Sequence, residues 1–192
     1  IDNVNIVHNV IENVDATAPT ASNKGIQWFT EAGSGFSLTN STFSHNRIQN
    51  ITAASKGSYG IQTVGDMDNV SITYNTISDI DGAWEAGIAL DGKEPVTTSG
   101  VSVDHNQVVD GIPTFSIQVE ASVDGAGIAI NTNNLETLLY GGSSGTPSPA
   151  ILDAEDNWFG TPAPALGTDV FVAPATNVVD FDPSAVGAYL QN

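Results

Sequence analysis

One pattern recurs six times along the chain and limits what it can fold into: apolar-x-apolar-x-x-Asn-x-apolar. It reads VNIVHNVI from Val4, STFSHNRI from Ser41, VSITYNTI from Val70 and VSVDHNQV from Val101. Looser copies are IAINTNNL from Ile128 and LDAEDNWF from Leu152. The asparagines are Asn9, Asn46, Asn75, Asn106, Asn133 and Asn157, at spacings of 37, 29, 31, 27 and 24 residues. A repeat of about 20–50 residues points to a solenoid or array, because one unit cannot bury its apolar face alone.

A second element lies between the copies: GIQWF (Gly25 to Phe29), GIQTV (Gly60 to Val64), GIALD (Gly87 to Asp91) and SIQVE (Ser116 to Glu120). Each alternates apolar and polar as a half-buried strand does. Each repeat therefore holds a strand, an Asn bend, a strand, a loop, a third strand and a loop. Leucine-rich repeats share part of the pattern. Here the strand positions carry Val, Ile and Phe, and no helical segment closes the repeat. A coil also absorbs shrinking spacings by changing its loops, which a horseshoe of near-constant repeats does not.

The V-x-I-x-x-N-x-I copies, the intervening G-I strands and the segment DNWFGTPAP from Asp156 carry a resemblance. The chain resembles the right-handed parallel β-helix repeat proteins of the pectate-lyase-like superfamily. DNWFG looks like the Asn-Trp-Trp-Gly ending of many such domains, with Phe159 at the second Trp. VVDFDPSAVGAYL, from Val178, looks like the capping tail that follows. The resemblance implies an all-β fold: a right-handed, single-stranded parallel β-helix of about six coils with an Asn ladder. It implies one domain over 1–192, with coils over 1–160 and a capping tail over 161–192. It says little of function, since this fold hosts lyases, hydrolases, epimerases, adhesins and phage spikes.

Stacked coils predict inward columns. These are Val4, Ser41, Val70, Val101, Ile128 and Leu152; Ile6, Phe43, Ile72, Val103, Ile130 and Ala154; Ile11, Ile48, Ile77, Val108, Leu135 and Phe159; and Ile26, Ile61, Ile88 and Ile117. The asparagines are expected to take the left-handed backbone of the bend, and to bond to the coils on either side as stacked amides do. The chain opens in mid-coil on IDNVNI with no polar cap. It is expected to be a segment of a longer chain, with an upstream domain or an end-to-end copy of itself covering the first coil.

Charge excludes some partners. Lys and Arg number 4 against 22 Asp and Glu, a net of −18. Nucleic acid, which needs clustered cations, is excluded as a partner. No apolar run approaches the ~18 residues of a membrane helix, so membrane insertion is not expected. An acidic surface serves solubility, and it also suits divalent cations. With no cysteine there is neither thiolate chemistry nor a Cys-based zinc site.

The outward face of the G-I strands is the candidate site. One column holds Gln27, Gln62, Ala89 and Gln118, and the next Phe29, Val64, Asp91 and Glu120. The resemblance places polysaccharide on this face. Gln27, Gln62, Gln118 and the loop residue Trp84 are the carbohydrate-binding candidates, by amide hydrogen bonding and ring stacking. Asp91 and Glu120 fall one coil apart, at about 5 Å, the separation of a retaining glycosidase pair. They are the catalytic candidates. The same pair attracts a cation, and Asp91, Glu120 and Glu85 form a candidate calcium set, with Glu94 and Asp66 in adjacent loops. Family lyases use an Arg or Lys base beside calcium-binding aspartates, but the only arginine, Arg47, lies on another strand. His8, His45, Tyr74 and His105 precede the ladder asparagines and form an outward column better suited to stacking than to zinc. Asn40, Asn50 and Asn69 begin Asn-x-Ser/Thr triplets, which so Asn-, Ser- and Thr-rich a chain produces by chance.

The expectation is an extracellular or cell-surface module with a structural or adhesive role and carbohydrate as its partner. A polysaccharide-active enzyme on the G-I face and a fibre subunit stacking through its ends are the alternatives.

Overall fold

Valine, isoleucine, threonine and serine at alternate positions favour pleated strands, and strands are what form. The computed structural model describes residues 1–181 except 19, 31–33, 93, 94, 110, 112, 113, 121, 142–150, 162, 163, 167 and 174–177. The first coil comprises β1 (Asn5–Val7), β2 (Val10–Ala16) and β3 (Asn23–Phe29). The second comprises β4 (Ser37–Ser44), β5 (Arg47–Ala53) and β6 (Gly57–Val64). The third comprises β7 (Asp66–Thr73), β8 (Thr76–Asp81) and β9 (Trp84–Asp91), followed by a short β10 (Thr98–Ser99). Then come β11 (Val101–Asp104), β12 (Gln107–Val108) and β13 (Phe115–Val119), and β14 (Ile128–Asn131), β15 (Asn134–Leu135) and β16 (Leu138–Gly141). The series closes with β17 (Ile151–Asp153), β18 (Val170–Ala173) and β19 (Val178–Asp180).

Like strands of successive coils pair in parallel and build three sheets. The first sheet runs β1-β4-β7-β11-β14-β17-β19, the second β2-β5-β8-β12-β15, and the third β3-β6-β9-β13-β16-β18. This is a parallel β-solenoid. β18 and β19 lie within the segment expected as a capping tail, yet each adds a strand to a sheet. Residues 182–192 of that tail lie outside the described residues. The second sheet narrows along the axis: β2 and β5 have 7 residues, β8 has 6, and β12 and β15 have 2.

The register stacks the expected columns. Ile6 pairs with Phe43, Phe43 with Ile72, Ile72 with Val103 and Val103 with Ile130. Ile48, Ile77, Val108 and Leu135 form the second-sheet column, and Ile26, Ile61, Ile88 and Ile117 the third. All of these but Ile6 are buried in a single core. Ser41, the polar member of an inward column, is buried and satisfied: its hydroxyl accepts from the Val4 N–H at 3.0 Å and donates to the Thr39 carbonyl at 2.7 Å. The glycines of the first two G-I strands, Gly25 and Gly60, have a steric cause. A Cβ on Gly60 would stand 2.5 Å from the Gly87 carbonyl oxygen and 2.6 Å from Ile77 Cγ2, so only glycine lets the third sheet meet the second here.

Between the first and second sheets the asparagines form a continuous ladder. Asn75 donates its backbone N–H and its Nδ2 to Asn106 Oδ1, both at 2.9 Å. Its own Oδ1 accepts the same two groups of Asn46, at 3.0 Å each. Its Nδ2 also reaches the Phe43 carbonyl at 2.9 Å. The pattern holds from Asn9 to Asn157. The left-handed residue is a correction to the expectation. It is not the asparagine but its predecessor: His8, His45, Tyr74, His105, Thr132 and Asp156 have φ between 53° and 58°. The sharp turn is taken by a residue whose side chain faces solvent, which leaves the amide in line with the core.

Two further left-handed rows flank the ladder. Asn3, Asn40 and Asn69 continue into Gly100, and Asn13, Asn50 and Asp79 into Gly111. Asn69 Nδ2 donates to Asn40 Oδ1 and Asn50 Nδ2 to Asn13 Oδ1, each at 2.7 Å. The Asn-x-Ser/Thr triplets thus owe their asparagines to these bends, since Asn is one of the few side chains that tolerates positive φ.

Each buried group left unmet costs about 1–3 kcal/mol. Asn75→Ala, which removes the acceptor of the Asn46 N–H and Nδ2 and the Nδ2 donor to the Phe43 carbonyl and Asn106 Oδ1, is expected to lower unfolding free energy by about 3 kcal/mol or more, whereas the exposed Asn9→Ala loses less than half as much. Urea unfolding of both variants checks the ranking, and equal losses would refute it.

Candidate functional site

The outer face of the third sheet brings together most of the residues singled out in the sequence. Gln27, Gln62, Ala89 and Gln118 stand in register along one column. Phe29, Val64 and Asp91 form the next. Glu120 follows Asp91 one coil on, its N–H bonded to the Leu90 carbonyl. Their polar ends are connected. Gln27 Nε2 donates to Gln62 Oε1 at 2.8 Å, and Gln62 Nε2 donates to Asp91 Oδ2 at 3.0 Å. Gln118 Nε2 donates to Glu120 Oε1 at 2.5 Å. Gln62 is only 6 % exposed, so this row is fixed rather than waving in solvent.

Tyr59 belongs to the same face and is not read from the alternation. Counting by twos from Ile61 puts it inside. However, Gly60 and Ile61 both face the core, and this slip of phase turns Tyr59 outward. Its ring folds onto Gly57, where a Cβ would meet ring atoms at 2.6–2.9 Å. The Lys24 ammonium stands 6.0 Å from the ring centroid and donates to Ser22 Oγ at 2.5 Å. Burial raises the Tyr59 phenol above its ordinary pKa, and the charges of Asp91 and Glu120 raise it further. Burial lowers the Lys24 pKa, against an opposing pull from Asp91.

Trp84 is 65 % exposed and pairs with Gly57, beside the Tyr59 ring. It stands seven residues from Asp91 along β9, about 23 Å in an extended strand. The face therefore has Trp84 and Tyr59 at one end and Asp91, Glu120 and the exposed Phe29 at the other, with the glutamine column between them.

Glu85 is not with the other two carboxylates, which corrects its place in the candidate calcium set. Only 4 % exposed, it accepts the Gly82 N–H at 2.6 Å and the Thr114 hydroxyl at 3.1 Å. It continues a row of polar side chains, Asn23, Ser58 and Glu85 in register, at the corner between the second and third sheets. Asn23 Nδ2 there reaches the Val14 and Thr52 carbonyls, and Ser58 Oγ the Asp81 carbonyl. Those bonds satisfy strand ends that the corner would otherwise leave unmet. Among the described residues no group of three or more His, Asp or Glu is gathered to hold a metal ion. Glu94 lies outside the described residues.

The outward ring column is present. His45, Tyr74 and His105 stack with centroid distances of 5.0 and 4.8 Å, and His8 lies tilted by 35° on His45 at 4.8 Å. His105 Nδ1 lies 2.8 Å from Asp104 Oδ1. A groove of about 390 Å³ runs along the second-to-third corner past Asp15, Thr52 and Asp81, away from the glutamine column. No family model matches the chain, and no curated protein or solved structure matches it.

The Tyr59 environment has a measurable consequence. With its pKa raised in the folded state, Tyr59 contributes stability that is present below the ordinary tyrosine value near 10 and is lost as pH rises through the raised one. Tyr59→Phe is expected to flatten the loss of stability above about pH 10 and to remove one high-pH phenol from the 295 nm absorbance titration. An unchanged titration would contradict this environment.

Proposed function

We propose that this chain is an extracellular or cell-surface β-solenoid module with a structural or adhesive role, and that its third-sheet outer face binds carbohydrate. One observation carries the reading: the hydrogen-bonded row Gln27–Gln62–Asp91, followed in the next coil by the bonded pair Gln118–Glu120. Sugar hydroxyls both donate and accept. A row of amides and carboxylates offers both functions at a repeat of about 4.8 Å. Because the row is tied together and rooted in strands, little side-chain freedom remains to be lost on binding. Tyr59 and the exposed Trp84 supply ring faces at one end of the same surface. The resemblance to pectate-lyase-like β-helix proteins favours polysaccharide at this place.

Catalysis by Asp91 and Glu120 is the second reading. It draws on their position in adjacent coils, each accepting an amide N–H. The two carboxylates would also be the start of any calcium site on this face.

A glycan array with and without calcium, followed by affinity measurement on the best ligand, tests both readings. Gln62→Ala and Trp84→Ala are each expected to weaken binding about tenfold, the loss of roughly 1.4 kcal/mol. Retention without turnover supports the binding module. Turnover that disappears in Asp91→Asn or Glu120→Gln with the fold intact supports the enzyme. If no glycan is retained at millimolar protein, the carbohydrate reading fails.

A further inference from the structure

We infer that Asn40, Asn50 and Asn69 are N-glycosylation sites, and that their glycans flank the Asn ladder and leave the third-sheet face bare. The inference rests on the extracellular reading of the chain. These are the only asparagines of the chain followed by x-Ser or x-Thr, the acceptor triplet for N-linked glycan. Composition accounts for the number of triplets but not for where they fall. All three asparagines are exposed and left-handed, with φ of 47°, 55° and 54°.

The phase of the coil explains the placement. After these bends the next residue turns inward and the one after it outward. Ser41, Ile51 and Val70 are buried, whereas Thr42, Thr52 and Ser71 are half-buried on the outer side. After a ladder asparagine the phase is reversed. The second residue on is Ile11, Ile48, Ile77, Val108, Leu135 or Phe159, each packed in the core. A ladder asparagine could carry the triplet only with a hydroxyl buried there. Asn3 and Asn13 share the exposed rows but have Asn5 and Asp15 at the hydroxyl position.

The amide chemistry agrees with this division. Transfer joins Asn Nδ2 to C1 of a sugar carried on a lipid-linked phosphate or diphosphate. The C1–O bond to phosphate breaks, the lipid phosphate leaves and Nδ2 loses one proton, so one N–H remains. That one is enough for the exposed rows. Asn40 Nδ2 donates to Asp2 Oδ1 at 2.8 Å, and Asn50 and Asn69 donate to Asn13 and Asn40 Oδ1 at 2.7 Å. In the ladder both N–H groups are committed: Asn46 Nδ2 serves the Ile6 carbonyl and Asn75, and Asn75 Nδ2 the Phe43 carbonyl and Asn106. Asn40 and Asn69 lie on the first sheet and Asn50 on the second. Glycans there line both sides of the ladder corner and leave Gln27, Gln62 and Asp91 open.

The test takes the chain from the cells that make it, separates cytoplasm from exterior, and reads intact mass and glycopeptides by mass spectrometry. An exterior chain heavier than its sequence is expected, with sugar on at least two of the three asparagines and on none of the ladder. Thr52→Ala and Ser71→Ala, which keep Asn50 and Asn69, are expected to abolish the added mass at those sites, with circular dichroism unchanged. An exterior chain with sugar on one or none of the three overturns the inference and leaves the extracellular reading in place. A chain confined to the cytoplasm overturns both. Added mass that persists in the hydroxyl variants belongs to another linkage and also overturns the inference. The wild-type glycopeptide map decides the matter even if a variant does not fold.

Discussion

Amide-to-amide hydrogen bonding at a single corner holds the coils in step. Each interior ladder asparagine gives two N–H groups to the next coil's amide oxygen and takes two from the coil before. Its Nδ2 also reaches a carbonyl of the preceding coil. In a low-dielectric interior such chains polarise one another, and an interrupted one leaves several groups unmet at once. A parallel sheet has no turn of its own to fix register, and a slip of one residue would exchange its inner and outer faces. The ladder forbids the slip. The Val, Ile and Leu columns can then stack, and the outer side chains fall into straight rows.

Legibility of the fold followed from this. The corner has constant length: four residues lie between Ile6 and Ile11, Phe43 and Ile48, Ile72 and Ile77, and so on to Ala154 and Phe159. A constant spacing between inward positions makes a pattern that reading can find. The conformation at the bend was harder to see. Asn is the obvious left-handed residue, but in each coil the residue before it takes that backbone. The asparagines that are left-handed, Asn40, Asn50 and Asn69 among them, sit inside strands, where they resemble ordinary surface composition.

The candidate face was legible where strict alternation holds and illegible where it breaks. Gln27, Gln62 and Gln118 follow from counting by twos, and so do Asp91 and Glu120. Tyr59 does not, because the close approach of the Ile77 side chain forces a glycine at position 60 and shifts the phase. Glu85 was misplaced for a related reason. A carboxylate beside a loop reads as exposed, whereas the corner between the second and third sheets needs acceptors for strand-end N–H groups, and Glu85 supplies one to Gly82. The same sheet-to-sheet corner thus hid one member of the surface and lent it one false member.

The second sheet pairs over seven residues in β2 and β5 but over only two in β12 and β15. Its apolar lining does not shrink with the pairing. Ile80 of β8 lies beyond the reach of β12, yet it stays fully buried and its N–H bonds to the Gly111 carbonyl. A rung can therefore lose ladder pairing on this side and still close the core, so the stack tolerates neighbours of unequal strand length.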